Sequence, residues 1–270
     1  MALNLKIVPC KSIVPLADYS VERVAFLEII IRDSGAIRNP LPVAAAENDK
    51  YLLLDDAAIL ETAYRLKIDY LPVQINEFVN ESNISAGVRI HKWNREFIDK
   101  FRMLFPRVFT SLISSGKPLN GRKLIEIIIV DSEKEPLRLW FKRDSKNRLP
   151  GAFFDFLAFL KHHFGFVHQH SIGNDNPISS GEMNNSAVLN CQDITAKDIS
   201  CASESGYLFP AELLSFDCGS RILGINYPVH ILNDSVPVED KEQFLHELIN
   251  LRINSGNTRY ISSGVYLLNY

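Results

Sequence analysis

Tyr51-Leu-Leu-Leu-Asp-Asp-Ala-Ala-Ile-Leu-Glu-Thr-Ala-Tyr-Arg-Leu-Lys-Ile-Asp-Tyr-Leu-Pro-Val-Gln-Ile75 is the stretch on which the fold of this chain turns. It reads as strand, sharp turn, helix, strand. The apolar run Tyr51 to Leu54 stops at Asp55-Asp56, and an aspartate is a favoured helix cap, so a helix is expected from Asp56 to Leu66. Tyr70 to Ile75 then returns as a strand.

Working outward, Leu41 to Ala46 pairs with Tyr51 to Leu54 around the turn Glu47-Asn48-Asp49. Upstream, Val21, Val24, Phe26, Leu27, Ile30 and Ile31 recur at helical spacing from Ser20 to Asp33, with Ser20 as N-cap and Gly35 as the stop. Residues 5 to 9 alternate as a short strand, and Pro15 closes the loop after it. This compact unit, residues 1–79, ends near Phe78. A polar seam follows over residues 80–87.

The region 88–270 reads as mixed α/β. Helical segments are expected over Trp93–Phe105 and Arg107–Ser114, broken at Pro106. Lys123–Val130 and Leu137–Phe141 read as paired strands, and Phe153–Phe164 as an apolar helix. Gly173 to Asn190 is rich in Asn, Ser, Gly and Pro and reads as a mobile loop. The end alternates through Arg221–Ile225, a helix over Val238–Leu251, and closing strands at Thr258–Ile261 and Val265–Leu268.

Composition excludes several classes. A chain of 270 residues can bury a sizeable core. Its 46% hydrophobic and 23% charged residues are ordinary for a soluble globular protein. A net charge of -3 and a pI near 6.2 argue against a large basic footprint for nucleic acid. No apolar run approaches the roughly 20 residues that span a bilayer. Cys10, Cys191, Cys201 and Cys218 lack CxxC spacing, so reduced thiols and a cytoplasmic location are expected. The Asn sequons at 80, 83, 184 and 233 then carry no meaning.

Leu5 to Ile75 is similar to the ParB/sulfiredoxin-like fold. The remaining chain resembles one branch of it, the free L-serine kinases and the serine kinase-regulator of siderophore biosynthesis. The residues that carry this are Phe209-Pro-Ala-Glu-Leu-Leu-Ser-Phe-Asp-Cys-Gly-Ser-Arg-Ile-Leu-Gly-Ile-Asn-Tyr-Pro228 and the ending Thr258-Arg-Tyr-Ile-Ser-Ser-Gly-Val-Tyr-Leu-Leu268. The resemblance implies an α+β protein, with the ParB/sulfiredoxin-like unit packed against a mixed α/β C-terminal region. It also implies ATP or ADP with Mg2+, and transfer of the terminal phosphoryl group to the hydroxyl of free L-serine.

The departures from that family fall on the chemistry. Leu16 and Ala17 stand where it has His-Glu. In its Asp-Gly-x-His-Arg turn Asp55 persists, while Asp56, Ala58 and Ile59 replace glycine, histidine and arginine. Leu214 and Ser215 replace its Thr-Arg, and Glu212 a glycine. Arg23, Arg38 with Pro40, Asp55 and Arg221 are retained. The family-based reading is therefore a non-catalytic small-molecule or nucleotide binder, or an enzyme of altered chemistry, in amino-acid or natural-product metabolism. The alternative is a regulatory protein of ParB type that binds DNA or a partner.

A helix N-terminus binds phosphate through free N–H groups and the helix dipole. Asp56, as the cap, is expected to occupy those donors with negative charge. Two carboxylates about 4 Å apart repel by roughly 1 to 4 kcal/mol at effective dielectrics of 80 to 20. Asp55 and Asp56 are either metal ligands or, more simply, a cap. Asp18, Glu22 and Asp55 are the candidate catalytic groups. Arg23, Arg38, Asp56 and Arg221 are the candidate ligand-binding groups, because arginine reads phosphate and carboxylate bidentately.

The remaining features favour plainer readings. His162, His163, His168 and His170 crowd a helix end and are read as structural rather than as a metal cluster. Phe153, Phe154, Phe156 and Phe159 form a core stripe. Basic groupings at Lys6 with Lys11, Arg89–Arg95 and Lys142–Arg148 come with no helix-turn-helix pattern, which makes nucleic acid an unfavoured partner.

Overall fold

A computed structural model of the chain describes residues 4–76, 84–94, 96–104, 124–131, 136–168, 186–192, 194–256, 258–261 and 265–268. They form two compact units: residues 1–83 with 216–270, and residues 84–215. The architecture is α+β. Sequence grouping places everything after the seam together, whereas the stretch from Phe216 onward packs with the first unit.

The chain opens with β1 (Leu5–Pro9), a 3-10 turn (Cys10–Ser12) and β2 (Ile13–Pro15), followed by α1 (Val21–Ser34). The Ser20 side chain accepts a 3.2 Å hydrogen bond from the Arg23 amide, and Gly35 ends the helix at φ 63°. Both caps are those expected. β3 (Ala36–Ile37), β4 (Leu41–Ala45) and β5 (Tyr51–Leu53) follow, then α2 (Ala57–Arg65) and β6 (Tyr70–Asn76). The helix α2 buries Ala58, Ile59, Leu60, Thr62 and Ala63. It ends where Lys67 takes φ 55° and the Ile68 amide donates back to Ala63 O at 2.8 Å, which satisfies an orphan carbonyl.

These strands form one mixed sheet in the order β1-β6-β4-β5-β2. The parallel β4–β6 pair aligns Leu41 with Val73, and the antiparallel β4–β5 pair aligns Val43 with Leu53. The start of β4 therefore lies beside the end of β5. The loop before β4 thus enters the sheet at the end from which the Asp55–Asp56 turn leaves it.

The second unit begins with β7 (Ile84–His91), so the end of the expected seam is strand, paired on both sides. After α3 (Phe97–Leu104) come β8 (Leu124–Asp131), β9 (Leu137–Lys142), α4 (Gly151–Phe164), β10 (Phe166–His168), β11 (Ser186–Gln192), α5 (Ala196–Glu204) and β12 (Leu214–Phe216). The sheet runs β10-β7-β11-β8-β9, with β12 also on β7. The helix expected over Arg107–Ser114 and positions 173–185 of the expected loop lie outside the described residues. Ser186–Asn190 is a correction to that loop, because it is strand. Ala187, Leu189 and Cys191 alternate inward there, and two neighbouring strands satisfy the backbone.

Phe153, Phe156, Leu157 and Leu160 sit fully buried on one face of α4 at helical spacing, and Phe141 and Phe101 meet Phe156. The core reading of that aromatic stripe fits this packing. Such rings contribute about 0.5–1.5 kcal/mol per pair beyond area burial.

The chain then returns to the first unit through β13 (Arg221–Leu223), β14 (Tyr227–Pro228), α6 (Val229–Asn233), α7 (Val238–Asn254), β15 (Thr258–Ile261) and β16 (Val265–Leu268). Ile222, Ile225, Tyr227, Leu245 and Ile249 join Leu5, Val43, Leu53, Leu71 and Val73 in a single core. That shared core explains the placement of the C-terminal stretch. Among the described residues, no helix is long and apolar enough to cross a membrane.

Candidate functional site

The turn between β5 and α2 is built from backbone outward. Asp56 takes φ 61° and ψ 48°, the left-handed region that favours glycine and that Asp and Asn tolerate better than other side chains. In this conformation its carboxylate makes no cap hydrogen bond to α2, which corrects the expectation that Asp56 covers the helix donors. It turns to α1 instead. Arg23 Nε donates to Asp56 Oδ1 at 3.2 Å and Nη2 to Oδ2 at 3.1 Å, a bidentate pair. Asp56 raises the guanidinium pKa above its already high value, first by hydrogen bonding and then by charge.

Asp55 is held separately. Its Oδ1 accepts from the Asp56 amide at 2.8 Å, and its Oδ2 accepts from Arg221 Nη1 at 3.0 Å. Thus each of the four carboxylate oxygens at the turn already accepts a hydrogen bond from a guanidinium or an amide. Two guanidiniums and two carboxylates also cancel in charge. That arrangement does not fit a divalent cation, which would have to displace fixed positive groups. Among the described residues, no group of three or more His, Cys, Asp and Glu could hold a metal ion.

Arg221 is positioned by a side chain that the sequence reading missed. Gln74 on β6 donates through Nε2 to Ser220 O and accepts through Oε1 from the Ile222 amide at 3.0 Å. The amide thus grips the backbone on either side of Arg221. The available signal was a polar residue within the apolar strand Leu71-Pro-Val-Gln-Ile75. Asn39 acts likewise, accepting from the Gly224 amide at 2.8 Å, while the Asn226 amide donates to Arg38 O at 3.1 Å. The Arg38 backbone is thereby tied to the connection between β13 and β14. Its side chain is exposed and makes no hydrogen bond or ion pair among the described residues.

The structure therefore brings Arg23, Asp55, Asp56 and Arg221 together through two ion pairs at one turn, while Arg38 is held through its carbonyl by Asn226. The other candidates lie differently. Glu22 is fully exposed, and a 2.6 Å hydrogen bond from Ser20 Oγ lowers its pKa. Asp18 is half-buried between β2 and α1. Leu16 is buried in the core and Ala17 is half-buried, and neither carries an ionisable group. Beside Arg221, burial pushes the Cys218 thiol up to about 11; Arg221 lowers it, and Asp55 and Asp217 raise it.

In the second unit, Leu214 is buried at the start of β12, and Glu212 pairs with Lys161 at 2.9 Å. His162 and His163 are exposed at the end of α4, with His163 Nδ1 3.0 Å from Phe159 O. His170 lies outside the described residues.

No protein-family model and no curated protein sequence matches the chain. Solved structures do. A C-terminally truncated SbnI from Staphylococcus aureus matches with TM-score 0.66 at 17% identity, covering 92% of this chain and 97% of its own. A free serine kinase in complex with AMP matches with TM-score 0.56 at 11% identity, covering 80% and 88%. A conserved hypothetical protein from Pyrococcus furiosus matches with TM-score 0.56 at 12% identity, covering 86% and 98%. The chain shares their fold. The free-serine-kinase-like fold is thus carried by nearly the whole chain, as the resemblance implied. At such identities it is the backbone framework that corresponds, and the chemistry must be argued from this chain's own side chains.

Proposed function

We propose that this protein is a divergent relative of free serine kinases that binds a small molecule, a nucleotide or an amino acid, without phosphoryl transfer. The observation that carries this reading is the closed charge balance at the β5–α2 turn, where Arg23 is paired with Asp56 and Arg221 with Asp55. Phosphoryl transfer depends on uncompensated positive charge around the transferring group and on a carboxylate aimed at the nucleophile. Here Arg23 and Arg221 are each compensated by a carboxylate of the turn, and Arg38 stands exposed apart from them. Glu22, the acid on the first turn of α1, is solvated and engaged by Ser20.

Ligand binding is supported by the solved structures of that fold in complex with AMP or ADP, and by the framework that Gln74 and Asn39 provide around Arg221 and Arg38. A role in amino-acid or natural-product metabolism belongs to the same reading. Titration calorimetry with ADP and with L-serine tests it: saturable micromolar-to-millimolar binding is the expected result. No heat with either ligand would send the function elsewhere.

A second reading has its own support. Val21, Phe26 and Ile29 are each close to 60% exposed on the side of α1 that also carries Glu22 and Asp33, a mixed face of large apolar and acidic side chains. A regulatory protein that works through contacts would use such a face. Substituting Phe26 and Ile29 with Lys would then abolish partner capture without altering small-molecule binding.

A further inference from the structure

We infer that Asp56 is an intramolecular anion that keeps Arg23 from an incoming phosphate, an autoinhibitory latch; this rests on the ligand-binding reading above. Three observations converge on it. The Asp56 backbone sits in the left-handed region, so the turn keeps a conformation suited to glycine while presenting a side chain. The carboxylate bypasses the helix amides it could have capped and takes the Nε and Nη2 donors of Arg23 in the fork geometry that a phosphate would use. The pair is also half open to water, with the Arg23 side chain 53% exposed and that of Asp56 21% exposed. It is therefore a contact that an anion of higher charge can displace, unlike a buried ion pair.

Asp55 is the foil. Its carboxylate, though 58% exposed, is tied to the turn itself through the Asp56 amide as well as to Arg221, so the contrast with Asp56 rests on that backbone tether and not on burial. Displacing Asp56 from Arg23 needs only a side-chain rotation on α2's first residue boundary. A ligand carrying phosphate gains Arg23 in exchange. A ligand without phosphate gains nothing from the opening.

The test is calorimetric titration of ADP and of adenosine into the wild-type protein, Asp56→Asn, and Asp56→Asn combined with Arg23→Gln. Asparagine tolerates the left-handed backbone, and the combined variant isolates the contribution of Arg23. The expected result is about a threefold gain in ADP affinity for Asp56→Asn, from removing the competing charge of a half-exposed pair. Adenosine affinity stays unchanged, and the gain is lost in the combined variant. Equal ADP affinity in wild type and Asp56→Asn overturns the latch while leaving ligand binding standing. A gain that persists without Arg23 also overturns it. Absence of ADP binding in every form sinks both the latch and the reading beneath it.

Discussion

Arg221 reaches across 166 positions of sequence to set its Nη1 3.0 Å from Oδ2 of Asp55. The half-buried Cys218 feels both charges, with Asp55 raising and Arg221 lowering a thiol that burial has already pushed up to about 11. Alkylation of Cys218 by iodoacetamide, followed by mass spectrometry, is therefore expected to stay slow at pH 8 and to accelerate toward pH 11. Arg221→Gln shifts that rise to higher pH and Asp55→Asn to lower pH. A rate profile that ignores both substitutions contradicts the contact.

The raised thiols carry a stability consequence at high pH. Cys10 is pushed up to about 12 and Cys218 to about 11 from a reference of 9.0, by burial first in both cases. Between pH 9 and 11 the unfolded chain has released these protons and the folded chain still holds them. By linkage, stability falls as pH rises through that window. The contribution is complete below pH 9. Urea midpoints measured from pH 8 to 11 are expected to decline, and less steeply in Cys10→Ala relative to its own value at pH 8.

Gln74 is expected to matter beyond its size. Gln74→Leu removes both hydrogen bonds to the backbone around Arg221 and leaves a carbonyl and an amide unsatisfied. The loss is about 1–3 kcal/mol per stranded group, read by urea denaturation. A change below about 0.5 kcal/mol would mean that water replaces the side chain freely.

In the second unit Asp198 does two jobs. It closes a capping box with Thr195 and pairs with Arg143, whose side chain is 9% exposed, through Nη2 at 3.0 Å. Asp198→Ala takes the carboxylate from the buried Arg143 guanidinium and removes the reciprocal half of the capping box, while Thr195 still accepts from the amide of residue 198; a loss of about 3–5 kcal/mol is expected. Asp198→Asn keeps the acceptor for the Asp198–Thr195 exchange and is expected to lose less. Thermal melts of the two variants check the order.

How much of this was legible in the sequence depends on range. Ser20 and Gly35 bound α1 as their types require, and the strand-turn-helix-strand reading of residues 51–75 holds because those signals are local. The role of Asp56 was not legible. Aspartate both caps helices and tolerates the left-handed backbone, and only the position of Arg23 on a different helix selects between them. The return of residues 216–270 to the first unit was hidden for a similar reason. Tyr227, Leu245 and Ile249 are apolar residues like any others until their partners on β1, β4 and β6 are known. Within the loop expected at 173–190, a strand lay concealed because Asn190 and Ser186 diluted the alternation of Ala187, Leu189 and Cys191.

The central claim is that the charge at the β5–α2 turn is closed and phosphoryl transfer is absent. Phosphorus NMR of the protein with ATP, Mg2+ and L-serine, followed for hours at near-stoichiometric enzyme, tests it most directly. The account predicts no O-phosphoserine signal above a protein-free control, and none for Asp55→Asn. A phosphoserine signal that grows with wild-type protein and disappears in Asp55→Asn would contradict it, and would make Asp55 a catalytic residue of an active kinase.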